Sequence, residues 1–138
     1  MINKQYLAGF IDGEGYLSVL THKDSRTSRG YTLHPIINIS GSEKDVLDEI
    51  NRLVKGRIRT KQKQKGCKKV YDIQIQDLEG IKNCLKVISP YLLIKKEQAT
   101  LLIEFVNLRI KNKNKGYSDR ELEIAQIFKT INKRGESC

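Results

Sequence analysis

The stretch Leu7-Ala8-Gly9-Phe10-Ile11-Asp12-Gly13-Glu14-Gly15 carries an apolar, small-residue run into two acids framed by glycines. It reads as a short helix that ends at a chemical site. Gly9 and Gly13 are four apart and share one helical face, although each costs about 1 kcal/mol relative to alanine inside a helix. Such a pair is expected where another backbone comes very close. Asp12 and Glu14 fall at the helix C-terminus, where the dipole disfavours a carboxylate by about 0.3–1 kcal/mol. A positive group should sit beside them, and a divalent cation is the obvious candidate.

Working outward, Tyr16–His22 and Tyr31–Ser40 alternate as half-buried strands, which implies a hairpin. The connection Asp24–Gly30 is polar and longer than a tight turn requires, and is expected to order only against a partner. Ser42, followed by Asp45, resembles a helix N-cap. Val46, Leu47, Ile50, Leu53 and Val54 then share one face of an amphipathic helix. A second strand pair is predicted over Gly56–Gln62 and Lys69–Gln76, joined around Gly66. Its parity sets Ile58, Tyr71, Ile73 and Ile75 against Arg57, Arg59, Lys61, Asp72 and Gln74.

Asp77 is a plausible cap for a helix carrying Leu78, Ile81, Leu85 and Ile88, which Pro90 ends. A longer helix is expected from Lys95 to Lys111, with Ala99, Leu102, Val106 and Ile110 inward. After the basic connector Lys111–Gly116, Ser118 is expected to cap a last helix with Leu122, Ala125, Phe128 and Ile131 inward, and a frayed tail from Asn132. The fold class is therefore α+β: an αββαββα core with a four-stranded antiparallel sheet, plus C-terminal helices within 95–132. Residues 1–138 form one domain.

The chain has 138 residues, with 26 Lys+Arg against 16 Asp+Glu, a formal charge of +10 and a pI near 9.6. A polyanion is the expected partner, nucleic acid before an acidic membrane. No stretch approaches the roughly 20 apolar residues of a membrane span, and the start Met1–Gln5 lacks signal-peptide character. A soluble, intracellular protein without a membrane partner is expected. Cys67, Cys84 and Cys138 suggest neither a disulfide framework nor zinc, and His22 and His34 are too few for a histidine-rich metal site. An antiparallel sheet with an Arg, Lys, Gln, Asn and Ser outer face suits the DNA major groove, although any such sheet has a solvated polar face.

Leu7–Gly15 resembles the signature of the LAGLIDADG homing endonucleases, with Phe10 for Leu, Gly13 for Ala and Glu14 for the final Asp. Pro90-Tyr91-Leu92-Leu93-Ile94-Lys95-Lys96-Glu97-Gln98-Ala99 resembles the segment preceding the long C-terminal helices of single-motif members. The resemblance implies an intron-encoded, site-specific double-strand DNA endonuclease. It implies a homodimer on a palindromic or near-palindromic site, leaving short 3′ overhangs, with Leu7, Ala8, Gly9, Asp12 and Gly13 at the dimer interface. Two chains would carry twice the +10 of one.

By the same resemblance, Glu14 binds the catalytic metal with the backbone carbonyl of Gly13, and Lys95 approaches the active-site solvent and scissile phosphate. Asp12 is better read as a structural acid at the helix end. Mg²⁺ suits these hard oxygen donors; Mn²⁺ should substitute, and Ca²⁺ should bind without supporting cleavage. Equivalent sheet positions contact DNA in relatives: Tyr16, Ser18, Leu20 and His22; Thr32, His34, Ile36 and Asn38; Arg57, Arg59, Lys61, Asp72 and Gln74. Arg26 and Arg29, with Lys63, Lys65 and Lys68, would meet the outer DNA. One departure is Gly41, Ser42 and Lys44 where some relatives place a Gln and a basic residue to organise catalytic water. Two alternatives stay open: an RNA-binding intron maturase of the same fold, and a DNA-binding regulator without catalysis.

Overall fold

The computed structural model describes residues 2–61 and 69–136; the side chains of Lys61 and of residues 133–136 are not described. Gly66, Cys67, Lys63, Lys65, Lys68 and Cys138 lie outside the described residues. Helix α1 spans Lys4–Glu14 and is followed directly by strands β1, Gly15–Lys23, and β2, Tyr31–Gly41. Helix α2, Lys44–Val54, leads to β3, Arg57–Lys61, and β4, Val70–Ile75; α3, Leu78–Ile88, then runs into a 3-10 turn at Ser89–Tyr91. Helices α4, Lys96–Lys111, and α5, Asp119–Glu136, complete the chain.

The strands form one antiparallel sheet in the order β1-β2-β4-β3, so the inner pair is β2 and β4. Pairing is in register from Gly15 opposite Ile39 to Lys23 opposite Tyr31, while β4 meets β2 only over Ile37–Gly41. Because side chains alternate along a strand, Leu17, Val19, Leu33, Ile37, Ile39, Ile73 and Ile75 line one buried face. Onto that face pack Leu47 and Ile50 of α2, Ile81 and Leu85 of α3, Leu102, Phe105 and Val106 of α4, and Ile124 and Phe128 of α5. Full burial of such side chains contributes about 1.5–3 kcal/mol each.

The capping chemistry follows the sequence in part. Asp77 accepts from the Gly80 N–H at 2.8 Å, and the Ser118 hydroxyl from the Glu121 N–H at 3.3 Å. Ser42 does not cap α2. The helix starts later, and Glu43 occupies the cap position without a side-chain bond.

Two further expectations are corrected. The Asp24–Gly30 connection is a folded turn, closed by Asp24 N–H on Gly30 O at 2.9 Å and by Arg26 on the Asp24 carboxylate at 3.0 Å. Nor does the chain fray from Asn132: α5 continues to Glu136, and Asn132 Nδ2 donates to Ser18 Oγ at 2.8 Å. Cys84 is buried in the core, which pushes its thiol pKa up to about 12.

Candidate nuclease site at the end of the first helix

Asn3 starts α1 by accepting from the Tyr6 N–H at 2.7 Å, and the helix then buries Leu7, Ala8, Ile11 and Asp12. Gly15 must be glycine, since a Cβ there would lie 2.6 Å from the Ile11 carbonyl oxygen that its own N–H caps. The chain therefore turns from helix to strand without a linker, and the acids are fixed at the sheet's rim.

The two acids part company. Asp12 turns inward, and its carboxylate accepts the N–H groups of Leu93 at 2.7 Å, Ile94 at 3.2 Å and Lys95 at 3.0 Å. Burial works to raise its pKa, but these three bonds and the nearby Lys95 charge outweigh it and hold the carboxyl below its ordinary 3.8. Asp12 thus places a negative charge just before the N-terminus of α4, where the dipole favours it. Lys95 returns the favour at the other helix, its ammonium donating to the Asp12 backbone oxygen at 2.6 Å. Part of the positive charge expected beside the α1 C-terminus is thereby supplied from within the chain.

Glu14, the last residue of α1, is exposed, as is Gly13. The Gly13 carbonyl is among the terminal carbonyls that a helix cannot satisfy internally. Carboxylate and carbonyl are hard oxygen donors of the kind Mg²⁺ takes, with phosphates and waters filling the remaining positions. Among the described residues, no group of three or more His, Cys, Asp or Glu is gathered to hold a metal. The donor set fits an ion shared with a substrate, and does not fit a closed structural cage. A groove of about 840 Å³ lies elsewhere, lined by Lys4, Leu53, Asp77, Asn83 and Tyr91.

Of the five residues expected at an interface, Leu7 and Ala8 are buried in the chain's own core and Asp12 is occupied by the turn before α4. The helical period of 3.6 sends them inward. Gly9 and Gly13 form the open face, where an added Cβ would meet nothing within 4 Å.

The outer face of the sheet is read correctly by parity, but it is not uniformly open. Tyr16, His22, His34, Arg57 and Arg59 are exposed, and Leu20, Thr32, Asn38 and Gln74 half-buried. Ser18, expected to face DNA, is fully buried beneath Asn132, and Ile36 opposite it is buried too. Asp72 is also fully buried; it accepts from Ser40 Oγ at 2.6 Å and lies 3.6 Å from Arg59, its cross-strand neighbour. His22 and His34 stand with ring centroids 4.6 Å apart. Partial desolvation first, and the second imidazole next, hold the His34 pKa below its ordinary 6.5.

Arg29 is exposed and reaches the Tyr117 carbonyl at 3.2 Å. The sequence reading also missed Glu121, fully buried 2.8 Å from Arg109 and bonded by Asn112 at 2.7 Å. A lone Glu on the apolar side of a helix, twelve residues after an arginine, was the available signal.

An αββαββα domain with a four-stranded antiparallel sheet and an exposed carboxylate at its rim is the arrangement that the resemblance of Leu7–Gly15 implies. The family model described as LAGLIDADG endonuclease matches residues 7–103. The chain belongs to that family. Its fold is shared with the archaeal intron-encoded homing endonuclease I-Vdi141I, solved with DNA: 21% identity, TM-score 0.78, over 92% of this chain and 82% of that one. The homing endonuclease I-CvuI, solved with uncleaved I-CreI target DNA in the presence of Mg, gives 17% identity and TM-score 0.74 over 94% and 79%. The LAGLIDADG meganuclease I-CpaMI, bound to uncleaved DNA, gives 24% identity and TM-score 0.72 over 88% of this chain but 41% of its own. A comparison with curated proteins finds no match.

Proposed function

We propose that this chain is a divalent-metal-dependent homing endonuclease that cuts both strands of a specific site as a homodimer. The observation that carries the reading is the division of labour at the α1 terminus. Asp12 is consumed in fixing the turn before α4, which leaves Glu14 exposed two residues beyond the backbone oxygen that holds the Lys95 ammonium.

Glu14 and the Gly13 carbonyl would hold Mg²⁺. When bound, the ion supplies a Lewis acid that makes water a nucleophile at neutral pH and offsets charge on the phosphate. Lys95 spends one donor on the Asp12 oxygen and keeps others to orient water or to stabilise charge developing on the scissile phosphate. Arg57, Gln74 and Asn38 stand in cross-strand register on the outer face, with Arg59 two residues along β3, and these are side chains able to pair with base edges or phosphates.

Two observations support the homodimer. The α1 face bearing Gly9 and Gly13 is unobstructed, as close packing of two helices requires. The chain also spans less than half of I-CpaMI, so two copies match one such relative in size. A two-fold assembly reads a palindromic or near-palindromic site.

The test is a library of double-stranded sites incubated with the protein in Mg²⁺, with binding measured in parallel in Ca²⁺. Recovery of one cleaved site supports the reading. Tight DNA binding without cutting would support a regulator instead, and preference for a folded intron RNA a maturase.

A further inference from the structure

Segment 111–118, Lys-Asn-Lys-Asn-Lys-Gly-Tyr-Ser, joins α4 to α5 and contains three lysines and no acid. Its backbone is held with unusual care. Arg109 donates to the carbonyls of Lys115 at 3.3 Å and Gly116 at 3.2 Å, and Arg29 to that of Tyr117. Both guanidinium groups lie over the Tyr117 ring, at 4.5 and 5.7 Å from its centroid. The buried Glu121 takes Arg109 on one oxygen and Asn112 on the other. Asn114 takes the left-handed turn, φ 70°, that Asn tolerates.

The tether ends on the sheet. Tyr117 Oη accepts the Leu33 N–H at 2.9 Å, in the part of β2 that β4 does not reach. The segment is thereby fastened beside the far end of the β1–β2 hairpin, while Lys111, Lys113 and Lys115 are all exposed. At about 3.3 Å per residue, that end lies about 26 Å along β1 from the Glu14 end. This is about eight base pairs of duplex, at about 3.4 Å each.

We infer that the α4–α5 connector is a second DNA-contacting element. It presents Lys113 and Lys115 to the phosphate backbone outside the span read by the sheet and adds affinity without sequence preference. The inference rests on the DNA reading above. A single basic loop is ordinarily solvated and mobile; this one is fixed by two arginines, a tyrosine and a buried glutamate. Phosphate contacts position a protein on its duplex and carry no sequence information, so a rigid mount serves register.

The test is the salt dependence of affinity for a mixed-sequence 30-base-pair duplex in EDTA, about that length being enough to reach both flanks. Wild type is compared with Lys113→Ala/Lys115→Ala and, as reference, Arg57→Ala/Arg59→Ala. The lysine pair should lower the slope of log K against log salt by about 1.8 for each chain bound, at about 0.9 per lost phosphate contact. Its base preference in a cleaved-site selection should match wild type. An unchanged slope, with the slope reduced in the Arg57/Arg59 variant, overturns the inference alone. Failure of the wild type to bind any duplex overturns the DNA reading and this inference with it. A changed base preference in the lysine variant also overturns the inference, because the connector would then touch bases.

Discussion

Lys95 bonds Asp12 twice, its N–H to the Asp12 carboxylate at 3.0 Å and its ammonium to the Asp12 backbone oxygen at 2.6 Å. The end of α1 and the start of α4 are thus locked, eighty-three residues apart in sequence, at the place where Glu14 is exposed. Each helix receives the charge that its terminal dipole prefers.

Asp12→Ala should destabilise the fold by about 3 kcal/mol, since three N–H groups lose an ionised acceptor. The effect should depend on pH in one direction. The folded pKa of Asp12 lies below the ordinary 3.8, so its stabilisation is complete above 3.8 and is lost as pH falls through the folded value. Urea unfolding of both proteins between pH 2 and 7, a range of about five pH units around that window, checks this. The difference in midpoint should shrink only on the acid side.

Lys95→Met should cut the rate of strand cleavage by about 100-fold or more, the scale of removing one donor to developing charge. Binding to the selected site in Ca²⁺ should hardly move. A loss of binding that matches the loss of cleavage would instead make Lys95 a backbone anchor.

Gly9→Ala should raise the thermal stability of the isolated chain by up to about 1 kcal/mol, because an alanine there meets nothing in the protomer. Gly9→Leu should leave the chain folded and weaken self-association, read by sedimentation velocity. Association that is indifferent to Gly9→Leu removes the glycine face from the interface.

Glu121→Ala should cost about 3–5 kcal/mol, measured by denaturant unfolding, because the half-buried Arg109 is left without its buried carboxylate. It should also loosen the connector that Arg109 holds.

Where local chemistry decides the outcome, the sequence was legible. Alternation in β1, β2 and β4, the Leu47, Ile50 and Val54 stripe of α2, the Asp77 cap and the stop at Pro90 all depend on neighbours within a few residues, although Leu53, expected on that stripe, is exposed. Parity also sorted the sheet faces correctly around Arg57, Arg59 and Gln74. What escaped depends on distant partners. Ser18 is buried by Asn132, 114 residues later; Arg29 is captured by Tyr117, 88 residues later; and Asp12 finds its N–H donors at 93–95. Glu121 is a polar residue whose burial is compensated by Arg109 and Asn112, a pairing that no periodicity announces. At the candidate site, the motif indicated the acids, but the separation of a structural Asp12 from an exposed Glu14 needed coordinates only to show which N–H groups hold the former.

The central claim is that Glu14 delivers the chemistry while Asp12 holds the frame. The most direct measurement is cleavage in Mg²⁺ of the duplex selected by the wild type, using Glu14→Gln, a change that keeps shape and removes charge. Glu14→Gln should bind that duplex in Ca²⁺ with near wild-type affinity, melt at the wild-type temperature and leave it uncut. Cleavage by Glu14→Gln at the wild-type rate would contradict the account.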